Sequence, residues 1–405
     1  MKFSQLAESI AESPTLKLNE EARRLKELGQ DVIHLGAGEP KNKAPKASIE
    51  AACAKLATGD IKYTPTGGTA SLKKAIISYT EKNYGIAVSP GNVIVSAGAK
   101  QSLYNVLYAL LNPEDEVIVL APYWVSYPEM VRMVRGVPVI INPGDATYQI
   151  TISQIEKAAG PRTRAVIINS PNNPSGVMYR EEFVSGVVEL CEARGIYCIM
   201  DDIYHKLIFD GKPAVCAYKY TGRDIESTMI VSINGISKTY GMTGFRIGWA
   251  VAGKKLTSVM ANIQGQITTT ASVICQAGAE GALNGPQDEV ETLRMTMETN
   301  RDAMLRDLGA IRDLRVTKPD GTFYCLPDFR AYTGDSMALS DFLLKKALVV
   351  TVPGKEFGME GHLRLSFCGS ARDVSEGARR IRWALDPTAP REIVINNRTL
   401  TRDWT

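Results

Sequence analysis

Between residues 45 and 285, short runs rich in Val and Ile recur with few polar interruptions, at 92–96, 116–120, 138–141, 165–169, 196–200, 229–233 and 247–251. Near-continuous apolar runs of this length predict strands buried on both faces. Helical stretches such as 101–111 and 181–194 lie between several of them. The alternation predicts an α/β fold, with a mostly parallel seven-stranded sheet between helical layers. In such sheets ligands bind beyond the carboxyl ends of the strands, so the residues that follow each strand carry the functional information.

The flanking segments have other textures. Residues 1–30 read as a short arm and then a helix, with Leu18, Ala22, Leu25 and Leu28 at helical spacing and Gly29 as the stop. Residues 32–35 predict a short strand that breaks into Gly36-Ala37-Gly38-Glu39-Pro40. This is half a dinucleotide fingerprint. Lys41 follows Pro40 and the third glycine is missing, which excludes a nicotinamide dehydrogenase. Residues 286–312 form a long helix pattern rich in Glu and Arg. Beyond it come Gly321-Thr322-Phe323-Tyr324, an amphipathic helix near 340–347, a strand and turn at 349–354, a strand at 363–367 and a last helix at 374–385. These predict a smaller α+β domain. The expected division is 1–44 as arm and part of the small domain, 45–285 as the large domain and 286–385 as the small domain. Residues 386–405 are a Pro-containing, partly β-prone tail without an assigned role.

Composition narrows the class. The chain has 405 residues, 44% hydrophobic and 22% charged, as in a soluble protein of two or three domains. A net charge of +3 supplies no basic field for nucleic acid or an anionic membrane. Seven cysteines without a CxxC pair fit reduced thiols in a cytoplasmic protein. The three histidines, His34, His205 and His362, have no metal-ligand spacing, so no metal is expected. The N-terminus lacks the apolar core of a signal peptide, and no apolar run approaches the roughly 20 residues of a membrane span.

The strand ends carry the candidate chemistry. After the first strand, Gly98-Ala99-Lys100 opens a helix, where free backbone N–H groups and the helix dipole favour a phosphate. After the second comes an aromatic cluster containing Tyr123, Trp124 and Tyr127, suited to stacking on a flat ring. After the fourth, the turn around Asn172-Asn173-Pro174 exposes an amide. After the fifth, Asp201 precedes the phenol of Tyr204 by three positions. After the sixth, Lys238 sits in a small polar turn with no acid nearby in sequence, and Arg246 follows between glycines. An isolated lysine there is a candidate for imine chemistry. Each turn alone has a plainer reading as a cap, a packing cluster or a surface turn. Five on one rim point to a site. Arg364 stands alone in an apolar strand and requires a partner, either a ligand carboxylate or an internal acid.

An imine-forming lysine, a phosphate seat, a stacking ring and an acid together describe a pyridoxal 5'-phosphate site. Asn234-Gly235-x-Ser237-Lys238-x-x-x-Met242-Thr243-Gly244-x-Arg246-x-Gly248 resembles the signature of the fold-type I, class I/II aminotransferases. Asn173-Pro174-x-Gly176, Asp201-x-x-Tyr204, Tyr63-x-Pro65-x-x-Gly68 and Val352-Pro353-Gly354-x-x-Phe357-Gly358 match in order. The resemblance runs from about residue 13 to 385. It implies that Lys238 holds the cofactor as an internal aldimine and, once freed, moves the substrate proton. It implies that Asp201 keeps the ring nitrogen protonated, that Tyr204 and Asn173 bond the ring oxygen, and that Trp124 stacks on the ring. Arg246, Ser237 and the Gly98-Ala99-Lys100 turn are expected at the phosphate, joined by Tyr63 from a second subunit of a homodimer. Arg364, helped by the Gly38 backbone, is expected on the α-carboxylate of amino-acid and 2-oxo-acid substrates.

The chain is most similar to the bacterial and archaeal aspartate aminotransferase subgroup, through Lys100, the Ser13-Pro14-Thr15 arm and residues 123–130. There Lys100, Ser13 and Thr15 are implied contacts of the distal carboxylate, and a hydroxyl from 264–270 of the partner adds to them. The implied reaction is transfer of the amino group from aspartate to 2-oxoglutarate. The alternatives are prephenate, aromatic or neutral substrates, a β-lyase, or a regulatory protein with an aminotransferase-like domain. Two departures stand out. Lys41-Asn42-Lys43 is basic where the family has an acidic and aromatic loop. Ala11-Glu12 replace the Lys-Pro of prephenate-using members, which favours aspartate.

Overall fold

Seven strands form one sheet, ordered Val93–Ser96, Gly248–Val251, Ile230–Gly235, Tyr197–Asp201, Thr163–Asn169, Glu116–Leu120 and Val137–Ile141. The last five run parallel, and Gly248–Val251 is antiparallel to both its neighbours. The reason is the connection. Parallel neighbours need a crossover, usually a helix. The segment between Ile230–Gly235 and Gly248–Val251 is spent instead on the lysine turn and one short 3-10 turn, Thr243–Phe245. The computed structural model describes residues 3–10, 14–145, 147–395 and 398–404.

Alternate residues of the sheet enter two cores. Ile118, Leu120, Val166, Ile168, Cys198 and Met200 face one layer of helices. Val117, Val119, Ala165, Ile167 and Ile199 face the other. Each strand therefore reads as a continuous apolar run, although its period is two. The expected strands agree with the observed ones to within a few residues. One helix boundary differs with consequence. The helix expected from 101 is Ala99–Leu110, with Gly98 at φ 87° as its N-cap. Ala99 and Lys100 thus belong to its first turn.

A second core grows from the chain that leaves Asp201. Ile203, Tyr204, Leu207 and Phe209 pack with Met304, Leu343, Leu365, Phe367 and Ile381. Around it lie the helices Asp288–Leu308, Ser336–Ala347 and Ala371–Leu385 and the small antiparallel sheet of Val352–Pro353, Leu363–Ser366 and Tyr324–Cys325. Ile33–His34 joins this side by parallel pairing with Val349–Val350. Arg380, fully buried on the last helix, reaches Asp31 at 2.7 Å and Glu376 at 3.0 Å. The tail forms a hairpin, Glu392–Ile395 with Arg398–Thr401, and Trp404 packs edge-on against Trp383 and Phe342. The two cores meet at the carboxyl ends of the large sheet.

Candidate active site

At that junction lies a cavity of about 320 Å³. Gly38, Ala99, Lys100, Trp124, Asn173, Asp201, Tyr204, Ser237, Lys238, Arg246 and Arg364 all line it, so residues far apart in the chain converge as the strand ends require. Tyr63 does not line it. It is 86% exposed on the outside of the same chain. Ser13 and Ala11-Glu12 lie outside the described residues. Thr15 falls in the helix Pro14–Glu27, and its side chain is outside the description.

The Lys238 amine donates to the Gly38 carbonyl at 2.8 Å. Burial lowers its pKa to about 8, and the Arg364 and Arg246 charges push the same way. An amine so placed keeps a neutral, nucleophilic fraction of about a tenth at pH 7, far more than an ordinary lysine, and most of it is neutral above pH 8. Asp201 ends its strand with one oxygen accepting from the Tyr127 hydroxyl at 2.5 Å. Burial raises the Asp201 pKa to about 6, and Tyr127, the Ile203 N–H and the Lys238 charge oppose that. Burial holds the Tyr204 phenol well above its usual pKa, so it remains a hydrogen-bond donor.

Arg364 is 4% exposed and clamped between Tyr324 at 4.4 Å and Phe357 at 5.0 Å. It donates to Asn173 Oδ1 at 3.1 Å and to the Gly36 carbonyl at 3.0 Å, and its Nε has no partner. Among the described residues no carboxylate pairs with it, so the internal acid open to the sequence is not its partner. A buried guanidinium with a spare donor facing a cavity suits a ligand carboxylate.

The turn expected to seat a phosphate has the geometry that an anion needs. Gly98 opens the helix, and a Cβ there would stand 2.5 Å from Arg246 Nη2. A Cβ on Gly248 would stand 2.2 Å from the Ala99 nitrogen. Backbone, guanidinium and helix N-terminus therefore crowd one spot where only glycine fits, and no acid occupies the helix's first turn. Lys100 lies with its ammonium 4.7 Å from the centre of the Trp124 ring, and burial and Arg246 lower its pKa. No metal-holding cluster of His, Cys, Asp or Glu occurs among the described residues.

Several contributors carry no signal of their own in the sequence. Tyr127 sat within the aromatic cluster without a separate role. Asn169 closes its strand, accepts the Asn173 N–H at 2.7 Å and donates to the Asp201 carbonyl at 2.9 Å. Tyr324, from the Gly-Thr-Phe-Tyr segment, carries the face on which Arg364 lies. Asp202 turns the other way. It accepts from Ser232 at 2.8 Å, and burial raises its pKa to about 7. Its carbonyl accepts from His205 Nδ1 at 2.8 Å, while His205 Nε2 accepts from the Tyr79 hydroxyl at 2.7 Å. Burial holds His205 neutral, with a pKa of about 3.

Comparison with known proteins bears on this geometry. The family model described as aminotransferase class I and II matches residues 30–381. An aspartate aminotransferase of Geobacillus stearothermophilus is 38% identical over 395 residues, 96% of this chain and 100% of its own. A probable aspartate/prephenate aminotransferase of Aquifex aeolicus is 38% identical over 380 residues, 92% of this chain and 96% of its own. A solved structure described as aspartate aminotransferase from Thermus thermophilus with maleate superposes with a TM-score of 0.90 at 34% identity, covering 95% of this chain and 100% of that one.

Proposed function

Because the chain belongs to the class I and II aminotransferases, we propose that it moves the amino group of L-aspartate to 2-oxoglutarate, with pyridoxal 5'-phosphate on Lys238 and the two sites shared across a homodimer. The observation that carries the reading is one cavity that joins a low-pKa lysine, a buried carboxylate, an anion seat and an arginine without an acid partner. The cofactor, when bound, supplies an electron sink for the substrate Cα–H bond. Arg246, Ser237 and the first turn of Ala99–Leu110 would hold its phosphate. Asp201, ionised through the Tyr127 bond, would pair with the ring nitrogen and keep a proton there. Asn173 is oriented by Arg364, which takes its Oδ1 and leaves the NH2 end for the ring oxygen, together with Tyr204. Arg364 holds the α-carboxylate, so that Lys238 Nζ takes and returns the proton at Cα.

Aspartate is favoured because Lys100, besides Arg246 and Arg364, is a further cation on the same cavity without an acid partner, which suits a distal carboxylate. The neighbour described with maleate is a protein that holds a dicarboxylate. The relatives named aspartate/prephenate keep prephenate as a second acceptor to test. The experiment mixes the purified, cofactor-loaded protein with single amino acids and no keto acid, and follows the visible spectrum. Aspartate and glutamate are expected to convert it, and alanine and phenylalanine are not. No conversion by either acidic amino acid sinks the proposal. Prephenate is then offered to the converted enzyme beside 2-oxoglutarate.

A further inference from the structure

Two loops of this chain lie away from its own cavity yet are tied together from within. One is 63–69, which presents the exposed Tyr63. The other is 268–271, which follows the helix Lys254–Ile267. Gln276 is fully buried between them. Its Oε1 accepts the Thr69 N–H at 2.8 Å, and its Nε2 donates to Thr64 Oγ1 at 3.0 Å and to the Ala271 carbonyl at 2.8 Å. Gln264, also fully buried, donates to the Thr66 carbonyl at 2.7 Å and to the Val95 carbonyl at 2.8 Å, and accepts from Asn105 at 3.0 Å. The Thr64 and Thr270 hydroxyls bond to each other. Each buried amide is satisfied at both ends, and such networks rigidify what they join. Buried glutamine costs too much to serve as filler; here Gln276 spends its hydrogen bonds on the two loops, and Gln264 ties the first loop to the sheet strand at Val95 and the helix at Asn105.

We infer that Gln276, with Gln264, is a positioning residue that acts in trans. It locks 63–69 and 268–271 into one platform that completes the cofactor and substrate site of a second copy of this chain. This rests on the shared-site homodimer of the proposed function. Tyr63 is 86% exposed, and Ile61 two residues before it and Ile267 at the end of the helix that leads into the second loop are also uncovered, at 41% and 52%, as apolar side chains that meet another copy would be. Within the chain, Gln101 adds a third link. Its Oε1 accepts the Ala97 N–H at 2.7 Å and its Nε2 donates to Thr268 at 2.6 Å, so the platform is also registered against this chain's own phosphate turn.

The test uses hybrid dimers of two differently tagged copies. One copy carries Lys238→Ala, so only the other copy's Lys238 can take pyridoxal 5'-phosphate covalently. Borohydride reduction and peptide mass spectrometry count the loaded lysines. With Gln276→Met on the Lys238→Ala copy, the loaded site receives the altered platform. Half-loading is then expected to need about tenfold more cofactor, as the loss of a net hydrogen bond's positioning implies. With Gln276→Met on the copy that keeps Lys238, loading is expected to match the unaltered hybrid. Amide hydrogen exchange over residues 63–71 is expected to speed up in the altered copy alone. The reverse pattern, or equal loading in the two hybrids, overturns the inference, because a glutamine that only holds its own chain together acts in cis. Thr64→Val, which removes the hydroxyl's bonds to Gln276 and Thr270 and leaves the glutamine its bonds to Thr69 and Ala271, is taken through the same pair, and the same trans pattern with a smaller shift is expected. Wild-type copies that load no cofactor on Lys238, or that form no mixed dimers, sink the proposed function itself before any variant is compared, and the inference falls with it.

Discussion

Tyr127→Phe is the sharpest probe of the acid in this site. The phenol is buried, and its hydroxyl donates to Asp201 Oδ2 at 2.5 Å. The substitution keeps the ring, so the packing against Trp124 survives. The donor to a buried carboxylate is lost. A hydrogen bond to a charged group is worth about 1.5–3 kcal/mol, which at 1.36 kcal/mol per tenfold is about 10- to 100-fold. The bond favours the ionised form of Asp201, against burial that raises its pKa to about 6. Without the bond the pKa rises further. The carboxylate is then protonated at a higher pH, and the acidic limb of kcat/KM moves toward neutrality. The assay is kcat/KM for aspartate with 2-oxoglutarate from pH 5 to 9, beside a melting curve to show that the fold is intact. A drop of about 10- to 100-fold, with the acidic limb moved upward, is expected. An unchanged limb and an unchanged rate would refute the claim that Tyr127 sustains the charge on Asp201.

Three further outcomes follow from the same geometry. The rate at which apo-protein captures pyridoxal 5'-phosphate on Lys238 is expected to rise with pH and level off above about 8, where the amine has lost its proton; a rate still climbing past pH 10 would mean an ordinary lysine. Lys100→Ala is expected to lower kcat/KM for aspartate by about 10- to 100-fold and for alanine hardly at all; equal losses would remove Lys100 from the distal carboxylate. Asp210→Asn is expected to cost about 1–3 kcal/mol in urea unfolding near pH 7, because the buried Arg301, which donates to both Asp210 oxygens at 2.8 and 2.9 Å, loses its charged acceptor but keeps Asp302. Arg301 holds the Asp210 pKa down to about 2, so the pair stabilises the fold above the ordinary carboxylate pKa and fades as pH falls toward 2. The variant's deficit should therefore shrink between about pH 4 and pH 2, and a constant deficit would contradict the ion pair.

The sheet was legible because burial on both faces writes itself as unbroken Val and Ile runs. The direction of Gly248–Val251 was not, since composition does not distinguish a strand that returns antiparallel from one that crosses over. Nor does periodicity pick out the helices Lys46–Ala57 and Val273–Asn284. They pack on each other through alanine and glycine, so close that a Cβ on Gly281 would stand 2.4 Å from the Ala47 carbonyl oxygen. Small residues mark such a contact by size, and an apolar period of 3.6 has little to detect.

The site shows the same division between residue and partner. Lys238, Asp201, Asn173 and Arg246 were readable because each is a reactive or polar type at a strand end. What each one bonds to lies on another strand or in the second core, and no local pattern records it. Arg364 illustrates the limit. Its isolation in an apolar strand left an internal acid as likely as a ligand, and only the packed neighbours exclude the acid. The Asp201-Asp202 doublet illustrates the converse. Two equal acids stand side by side in sequence, Asp201 as the last residue of its strand and Asp202 just beyond it, and successive residues of extended chain point to opposite faces. Asp201 therefore meets the cavity and Tyr127, while Asp202 meets Ser232 and the backbone that anchors His205. Both carboxylates are buried, and both have raised pKa values. Only the one beside the cavity has a place for a cationic ring to lower its pKa again. The doublet thus divides, one acid toward the cavity and one toward the packed interior, and a shift of one residue in strand register would exchange them.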